Sequence, residues 1–570
     1  MNPLAIQRTA AAHDVPLTIR HILERGLAQS PQQEIVYADQ ARYTYTTLAE
    51  RIARLASGLA ALGVGPGSTV GVMDWDSNRY LECFFAVPMM GAVLHTINVR
   101  ISPEQILYTI NHAEDDVILV NADFLPILEA IHGKVRPGVK LVLLCDQPNA
   151  PQSTLPFARG YEEMLARASA SYDFPDLPDD TCATTFYTTG TTGLPKGVYY
   201  SHRQLVLHTL AVGQAFANAP HASFSASDVY MPVTPMFHVH AWGLPYLATM
   251  LGVKQVYPGR YVPDKLLALV GREGVTFSHC VPTILSMLLG SLAAEGVSPP
   301  GRPKGEQAPE RASAEGRPRL SGWKMIIGGS ALPLPLARKA IDFGIDVIAG
   351  YGMSETCPIL TLAHLRPHMT DWDVERKLPV LVRAGRPIPF VQVRIVDTDM
   401  NDVPHDGASQ GEVVVRSPWL TQGYLHDPER SAELWHGGWL HTGDVGVIDA
   451  EGYLKIVDRI KDVVKTGGEW VSSLDIEDLV LRMPGIVEAA VIGVPDDKWG
   501  ERPVAFVVCK GDTPATEEGV RRHVQDFADR GAISKYAVPD RVYFVESIPK
   551  TSVGKLDKKV IRAQHATPAK

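Results

Sequence analysis

The run Tyr187-Thr188-Thr189-Gly190-Thr191-Thr192-Gly193-Leu194-Pro195-Lys196-Gly197-Val198 concentrates four threonines, three glycines and one lysine, with no acid among them. Those residue types suit an anion. Glycine lets the main chain approach closely, threonine hydroxyls donate to oxygens, and lysine supplies charge. Before the run, Cys182-Ala183-Thr184-Thr185-Phe186 is β-branched and aromatic enough for a buried strand. After it, Ser201 and Gln204 have the spacing of a capping box that opens a helix from about Arg203. Strand, glycine-rich turn and helix is a layout that offers N–H groups to phosphate. The spacing is not that of a Walker loop, in which lysine directly follows the second glycine; here Leu194 and Pro195 intervene.

Further clusters follow in chain order. Val229-Tyr230-Met231-Pro232 reads as a strand that leads into Pro235-Met236-Phe237-His238-Val239-His240-Ala241-Trp242, a segment of imidazole and indole groups at a strand end. Met325-Ile326-Ile327 runs into Gly328-Gly329-Ser330-Ala331, and Val347-Ile348-Ala349 into Gly350-Tyr351-Gly352-Met353-Ser354-Glu355. In both, an apolar strand ends in small residues that a flat ligand can approach. His441-Thr442-Gly443-Asp444 lies between Gly411–Arg416 and Gly452–Ile456, predicted antiparallel strands of a small β-rich subdomain. Asp458-Arg459-Ile460-Lys461-Asp462 marks a boundary, and Pro549–Leu556 is a turn-rich segment with a lysine, Lys555, expected to be exposed.

The elements that must position these groups are α/β. Leu48–Leu62 is an amphipathic helix ended by Gly63, and Thr69–Met73, Gly91–Leu94 and Val117–Val120 are short apolar strands between helical patterns. This predicts a mostly parallel layered sheet. The chain has 570 residues, 45% hydrophobic and 21% charged, which is too long for one domain. Its net charge of −9 argues against a nucleic-acid surface. Six scattered cysteines, with no C-x-x-C, read as reduced thiols of a cytoplasmic protein. The apolar passage from Tyr80 to Val99 is interrupted by Glu82, Pro88 and His95, so a buried helix and strand are expected and no transmembrane segment. No signal peptide is legible at the start. Residues 298–319 are rich in Pro, Gly, Ala, Glu and Arg and read as an exposed insertion.

Taken together and in this order, the motifs resemble the AMP-forming acyl-CoA synthetases, the adenylate-forming enzymes. The resemblance runs from Tyr45 to Lys555, and the Pro-Met-Phe-His-Val-x-Ala-Trp and Gly-Gly-Glu-Trp-Val-Ser-Ser stretches resemble the medium- and long-chain fatty acyl branch. It implies a large N-terminal domain (1–458) of layered α/β subdomains plus a small β-rich subdomain. It also implies a small mobile α+β C-terminal domain (459–570), with a hinge near 458–461. ATP, Mg²⁺ and coenzyme A are the implied cofactors and co-substrates, acting on a carboxylic acid; a homodimer is compatible with the resemblance.

Carried over residue by residue, Thr188, Thr189, Gly190, Thr191, Thr192, Gly193 and Lys196 would hold the β- and γ-phosphates. Glu355 and Thr188 would hold Mg²⁺. Asp444 would accept from the ribose, with Arg459 beside it and Lys461 at the hinge. Other nucleotide contacts would come from Val239, Gly329, Ser330, Ala331, Ala349, Gly350, Tyr351, Gly352, Met353, Ser354 and Lys465. Ala349 stands where the family often has a polar residue, so any contact to adenine there is from the backbone. His238 and Lys555 join Glu355 as catalytic groups, Trp242 gates the acyl tunnel, and Gly467, Gly468 and Glu469 receive coenzyme A. His240 stands where the close branch commonly has asparagine, which bears on the tunnel mouth.

The chemistry calls for such groups. A carboxylate and a triphosphate are both anionic, so joining them demands neutralisation and in-line alignment. The activity that the resemblance implies is ligation of a medium- or long-chain fatty acid to coenzyme A through an acyl adenylate, releasing AMP and pyrophosphate. Alternatives are the same adenylation of an aryl or sulfur-containing acid, transfer to a carrier protein, or a nucleotide-binding protein without catalysis.

Overall fold

The computed structural model describes residues 9, 11–13, 15–147, 151–188, 194–294, 320–467, 469–510, 515–551 and 554–565. Strands Thr69–Met73 and Val117–Asn121 are buried at every position, as continuous apolar runs in the middle of parallel sheets are. They lie in a seven-stranded sheet. Its order is Phe157–Gly160, Lys140–Leu144, Val117–Asn121, Thr69–Met73, Val93–Thr96, Cys182–Thr188 and Lys196–Ser201. A second, nine-stranded sheet has Val229–Pro232, Phe277–Cys280, Lys324–Ile327 and Asp346–Gly352 as consecutive parallel neighbours. The helix Asn78–Met89, capped by Ser77 and buried along its whole length, touches strands of both sheets. That is the helix-and-strand reading of Tyr80–Val99. Among the described residues no helix is long and apolar enough to cross a membrane.

One expectation needs correction. The helix His202–Ala217 does open with the Ser201–Gln204 capping box, but it does not follow the threonine-rich run directly. Lys196–Ser201 is a strand, paired antiparallel with Cys182–Thr188 from Cys182↔Ser201 to Thr188↔Lys196. Gly197-Val198-Tyr199-Tyr200 has the β-branched and aromatic content of a strand, and the run is thus the tip of a hairpin. Thr189, Gly190, Thr191, Thr192 and Gly193 fall outside the described residues, as does the 298–319 insertion.

The β-rich part is antiparallel, as expected, and the segment between its two strands is itself a strand. Gly411–Arg416 and Leu454–Arg459 do not pair with each other. Each pairs antiparallel with the ten-residue strand Trp439–Ile448 between them, and His441-Thr442-Gly443-Asp444 lies within that strand. Gly443, at φ +69°, provides the left-handed kink that turns the Asp444 segment. Beyond it, strands Val464–Thr466, Glu469–Val471, Ile486–Asp496, Gly500–Cys509 and Arg541–Phe544 form a separate sheet. Helices Ser473–Leu481 and Lys558–His565 touch its strand Ile486–Asp496. The large apolar core draws on residues between Ile19 and Leu454, whereas two smaller clusters draw on residues between Val464 and Ile561.

Candidate functional site

The parallel strands of the nine-stranded sheet deliver the site, because their carboxyl ends carry residues 233–242, 328–331 and 350–355. Open α/β sheets bind ligands at such ends. Asp346–Gly352 continues past its parallel partner and turns antiparallel to Ile359–Leu362. Gly352 is forced there, since a Cβ would overlap the Pro358 carbonyl oxygen. Ala349 is buried, so only its main chain can face a ligand, while Gly350, Tyr351, Met353 and Ser354 are partly accessible.

Glu355 is buried and accepts a hydrogen bond from Tyr424 Oη at 2.8 Å. The Lys196 ammonium stands 4.1 Å from the centre of the same Tyr424 ring. Tyr424 is held by the hairpin, through the Val198↔Tyr424 bridge and a Leu425 N–H donated to the Gly197 carbonyl at 2.8 Å. Tyr200, from the hairpin's second strand, donates to the Ser354 carbonyl at 2.6 Å. Tyr424 thereby joins a cation to a carboxylate, and Lys196 is the strand partner of Thr188. The sequence reading missed Tyr200 and Tyr424. Tyr200 sat in the unrecognised strand, and Tyr424 lies in a polar turn segment without a pattern to mark it.

Opposite this group, Tyr351 Oη donates to Asp444 Oδ2 at 2.7 Å, and Arg459 Nε lies 3.6 Å from Asp444 Oδ1. Lys555 reaches into the same place from the far end of the chain. A Cβ placed on Gly329 would lie 3.2 Å from Lys555 Cε, so a side chain at Gly329 would occupy the space the lysine uses. The expected exposed lysine is in fact partly buried. Burial pushes its pKa down to about 8, helped by the Arg459 charge and opposed by Asp444 and Glu355. His238 is half-buried, and desolvation, with the Lys555 and Arg100 charges, holds it down to about 3; its imidazole is neutral. Ser330 and Ala331 are exposed at the rim.

The apolar side is built on an unusual turn. Val239, His240, Ala241, Trp242 and Gly243 all have positive φ, between +48° and +72°. For the four non-glycine residues a left-handed turn costs roughly 1–2 kcal/mol each. Val239 is buried, so it too offers a ligand only its main chain. Trp242 is buried, packs on His279 with ring centres 5.0 Å apart, and its ring edge would meet a Cβ on Gly328 at 3.1 Å. His240 does not line an opening. It is buried, shares a 2.8 Å hydrogen bond with Thr184 Oγ1, and packs edge-on against Phe84 and Phe186. The hydroxyl of a core strand satisfies it.

Three expected residues stand together elsewhere. Lys465 is exposed on Val464–Thr466 with its ammonium 5.8 Å from the Trp470 ring, in the strand pair that carries Gly467 and Glu469. Lys465 thus lies on the C-terminal sheet, with the residues expected to receive coenzyme A. Gly467 donates its N–H to the Trp499 carbonyl, and Glu469 accepts from Ser534 Oγ at 2.5 Å. Gly468 lies outside the described residues. Lys461 is exposed in the turn after Leu454–Arg459.

The model of the AMP-binding enzyme family matches residues 23–425, and that of the AMP-binding enzyme C-terminal domain matches residues 475–555. The chain belongs to the AMP-binding enzyme family, among the AMP-forming acyl-CoA synthetases. It is 41% identical over 560 residues to a long-chain-fatty-acid–CoA ligase of Thermus thermophilus, covering 97% of this chain and 96% of that one. It is 38% identical to a 3-methylmercaptopropionyl-CoA ligase of Ruegeria pomeroyi, covering 91% of this chain and 90% of that one. Among solved structures, ATP-bound MatB from Rhodopseudomonas palustris superposes with a TM-score of 0.79 at 27% identity, covering 98% of this chain and all of the other. The architecture of a large mixed α/β region and a smaller C-terminal one is that of these enzymes.

Proposed function

We propose that this synthetase activates a medium- or long-chain fatty acid with ATP and transfers the acyl group to coenzyme A, releasing AMP and pyrophosphate. The observation that carries this reading is the convergence of Lys555, Asp444, Arg459 and Glu355 at the sheet's carboxyl edge, next to an indole-lined apolar turn. In the first step a carboxylate oxygen bonds to the α-phosphorus and the bond to pyrophosphate breaks. Lys196, with the threonines and glycines of 188–193, neutralises the leaving group, and Lys555 bridges the carboxylate and the α-phosphate as a point charge on a flexible stem. Asp444, fixed by Tyr351, accepts from the ribose hydroxyls.

Oxygen donors suit a hard cation: Glu355, buried and oriented by Tyr424, and the hydroxyl of Thr188 would hold Mg²⁺. When bound there, Mg²⁺ neutralises charge on the departing pyrophosphate. In the second step the thiolate of coenzyme A bonds to the acyl carbon and AMP departs. Lys555 occupies the approach, so the region from 459 onward must turn about Lys461, bringing Gly467, Gly468 and Glu469 to the site. The boundary at 458/459 belongs to this proposal. Exposed Trp470 and Trp499, with Lys498 4.6 Å from the Trp499 ring and Tyr536 5.5 Å from it, offer the nucleotide end of coenzyme A a stacking and cationic surface. All six cysteines are free thiols, which supports a reducing cytoplasm, and a homodimer is readable by sedimentation.

The test is release of AMP and pyrophosphate across straight-chain acids of increasing length, benzoate and a short thioether acid, with coenzyme A included or omitted. Release that peaks with a fatty acid, with thioester formed only when coenzyme A is present, is expected. A peak with benzoate or the thioether acid replaces the substrate, and silence with every acid removes the reading. In the same panel Trp242→Ala should shift the preferred chain length more than the KM for ATP. A change confined to ATP would remove Trp242 from the acyl tunnel.

A further inference from the structure

Where the two halves of the chain meet, a carboxylate is enclosed away from the reacting groups. Asp458 is 2% exposed and ends the strand Leu454–Arg459, which belongs to the β-rich sheet through its pairing with Trp439–Ile448. Its Oδ2 accepts from both the N–H (2.8 Å) and the hydroxyl (2.5 Å) of Ser473. The Ser473 hydroxyl in turn receives the Lys558 ammonium at 2.5 Å, and Lys558 also pairs with Glu477 at 2.7 Å. Ser472 donates to the Val457 carbonyl at 2.6 Å. The Leu334 N–H of the large region donates to Asp478 at 3.2 Å.

The donors have a common origin. Ser473, Glu477 and Asp478 belong to the helix Ser473–Leu481, and Lys558 begins the helix Lys558–His565; both helices pack on the strand Ile486–Asp496 of the C-terminal sheet. Glu477 also accepts from the Val491 N–H at 2.8 Å, so the Lys558–Glu477 pair is internal to that unit. Of the groups named, Asp458, Val457 and Leu334 lie on the other side, where exposed Lys455 also pairs with Asp475 at 2.7 Å. Lys558 is moreover three residues beyond Lys555. Anchoring one fixes the approach of the other.

We propose that Asp458 is a positioning residue: clasped by Ser473 and, through it, by Lys558, it latches the C-terminal unit in the arrangement that places Lys555 in the site. The inference rests on the two-step reading above. Turning about Lys461 withdraws Ser473 and Lys558 from Asp458, whereas the Lys558–Glu477 pair travels with the unit. A buried carboxylate that loses its donors must be hydrated. The latch therefore weights the adenylating arrangement and leaves the thioester-forming one untouched.

The test substitutes Asp458→Asn, which keeps shape and leaves Lys558 paired with Glu477, and separately Ser473→Ala, with melting curves to verify folding. Three quantities are read in the full chain: acid-dependent exchange of labelled pyrophosphate into ATP, thioester formation from supplied acyl adenylate and coenzyme A, and tryptic cleavage at the exposed Arg459 and Lys461 without substrates. Losing donors to a charged group should lower exchange about tenfold in Asp458→Asn and by less in Ser473→Ala, with thioester formation unchanged or faster. Cleavage should speed up severalfold in the same order. Equal loss in both half-reactions, or exchange and cleavage like those of the unaltered chain, overturns the latch. If Asp458→Asn fails to fold, Ser473→Ala decides alone. Should the unaltered chain show no exchange with any acid, the functional reading fails, while the cleavage rates still decide whether the latch exists.

Discussion

The two cationic sides of the site are built in opposite ways. Lys196 is held by a hairpin strand, a bridge to Tyr424 and a phenol that also orients Glu355, all within one continuous core. Lys555 arrives on a short turn closed by the Thr551 N–H on its own carbonyl, from a unit with its own apolar clusters. On the proposed two-step reading, the first side stays in place and the second is withdrawn. The difference suits a reaction in which pyrophosphate must be neutralised once, whereas the acyl carbon must first be covered and then opened.

Two substitutions probe that contrast, the larger first. Gly352→Ala strikes the permanent side, because a Cβ there overlaps the Pro358 carbonyl oxygen. A loss of about 3 kcal/mol or more in unfolding free energy is expected by denaturant titration. A near-neutral value would mean the strand has room to move and the permanent side is not rigid. Tyr424→Phe removes one hydrogen bond to the Glu355 carboxylate without changing shape. Adenylation should fall by about 1.5–3 kcal/mol, with a weaker Mg²⁺ dependence and an unaltered thioester step. Loss in the thioester step alone would assign Tyr424 to the wrong side.

The pH dependence separates the sides without mutation. In the proposed first step Lys555 acts as a cation; burial has lowered its pKa to about 8, so the charged form prevails below that value and is lost above it. Adenylation by the free enzyme should therefore decline as pH rises through about 8, while thioester formation from supplied acyl adenylate keeps no such limb. His238, held at about 3, stays neutral and should add no limb near neutrality. An adenylation profile that rises through pH 8 would mean the lysine acts as a neutral base.

Much of the site was legible in sequence, for reasons that particular residues make plain. Gly350-Tyr351-Gly352 and Gly328-Gly329 announce close main-chain approach through composition alone, and the Ser201–Gln204 box located its helix. What escaped was long-range. Tyr424 reaches Glu355 across 69 positions, Asp458 meets Ser473 and Lys558 through tertiary packing, and the left-handed turn at Val239–Trp242 defies the intrinsic preference of every side chain in it. The hairpin strand Lys196–Ser201 was hidden because the glycines before it promised a turn into a helix. Lys555 read as exposed since nothing local shows what lies opposite a distant loop.

The most direct measurement pairs the two half-reactions in Lys555→Ala. Acid-dependent pyrophosphate exchange should fall by about 3 kcal/mol in activation free energy, the scale of one lost transition-state donor, while thioester formation from supplied acyl adenylate proceeds as in the unaltered chain. Equal loss in both, or exchange that survives, would contradict a lysine that serves one step and leaves before the next.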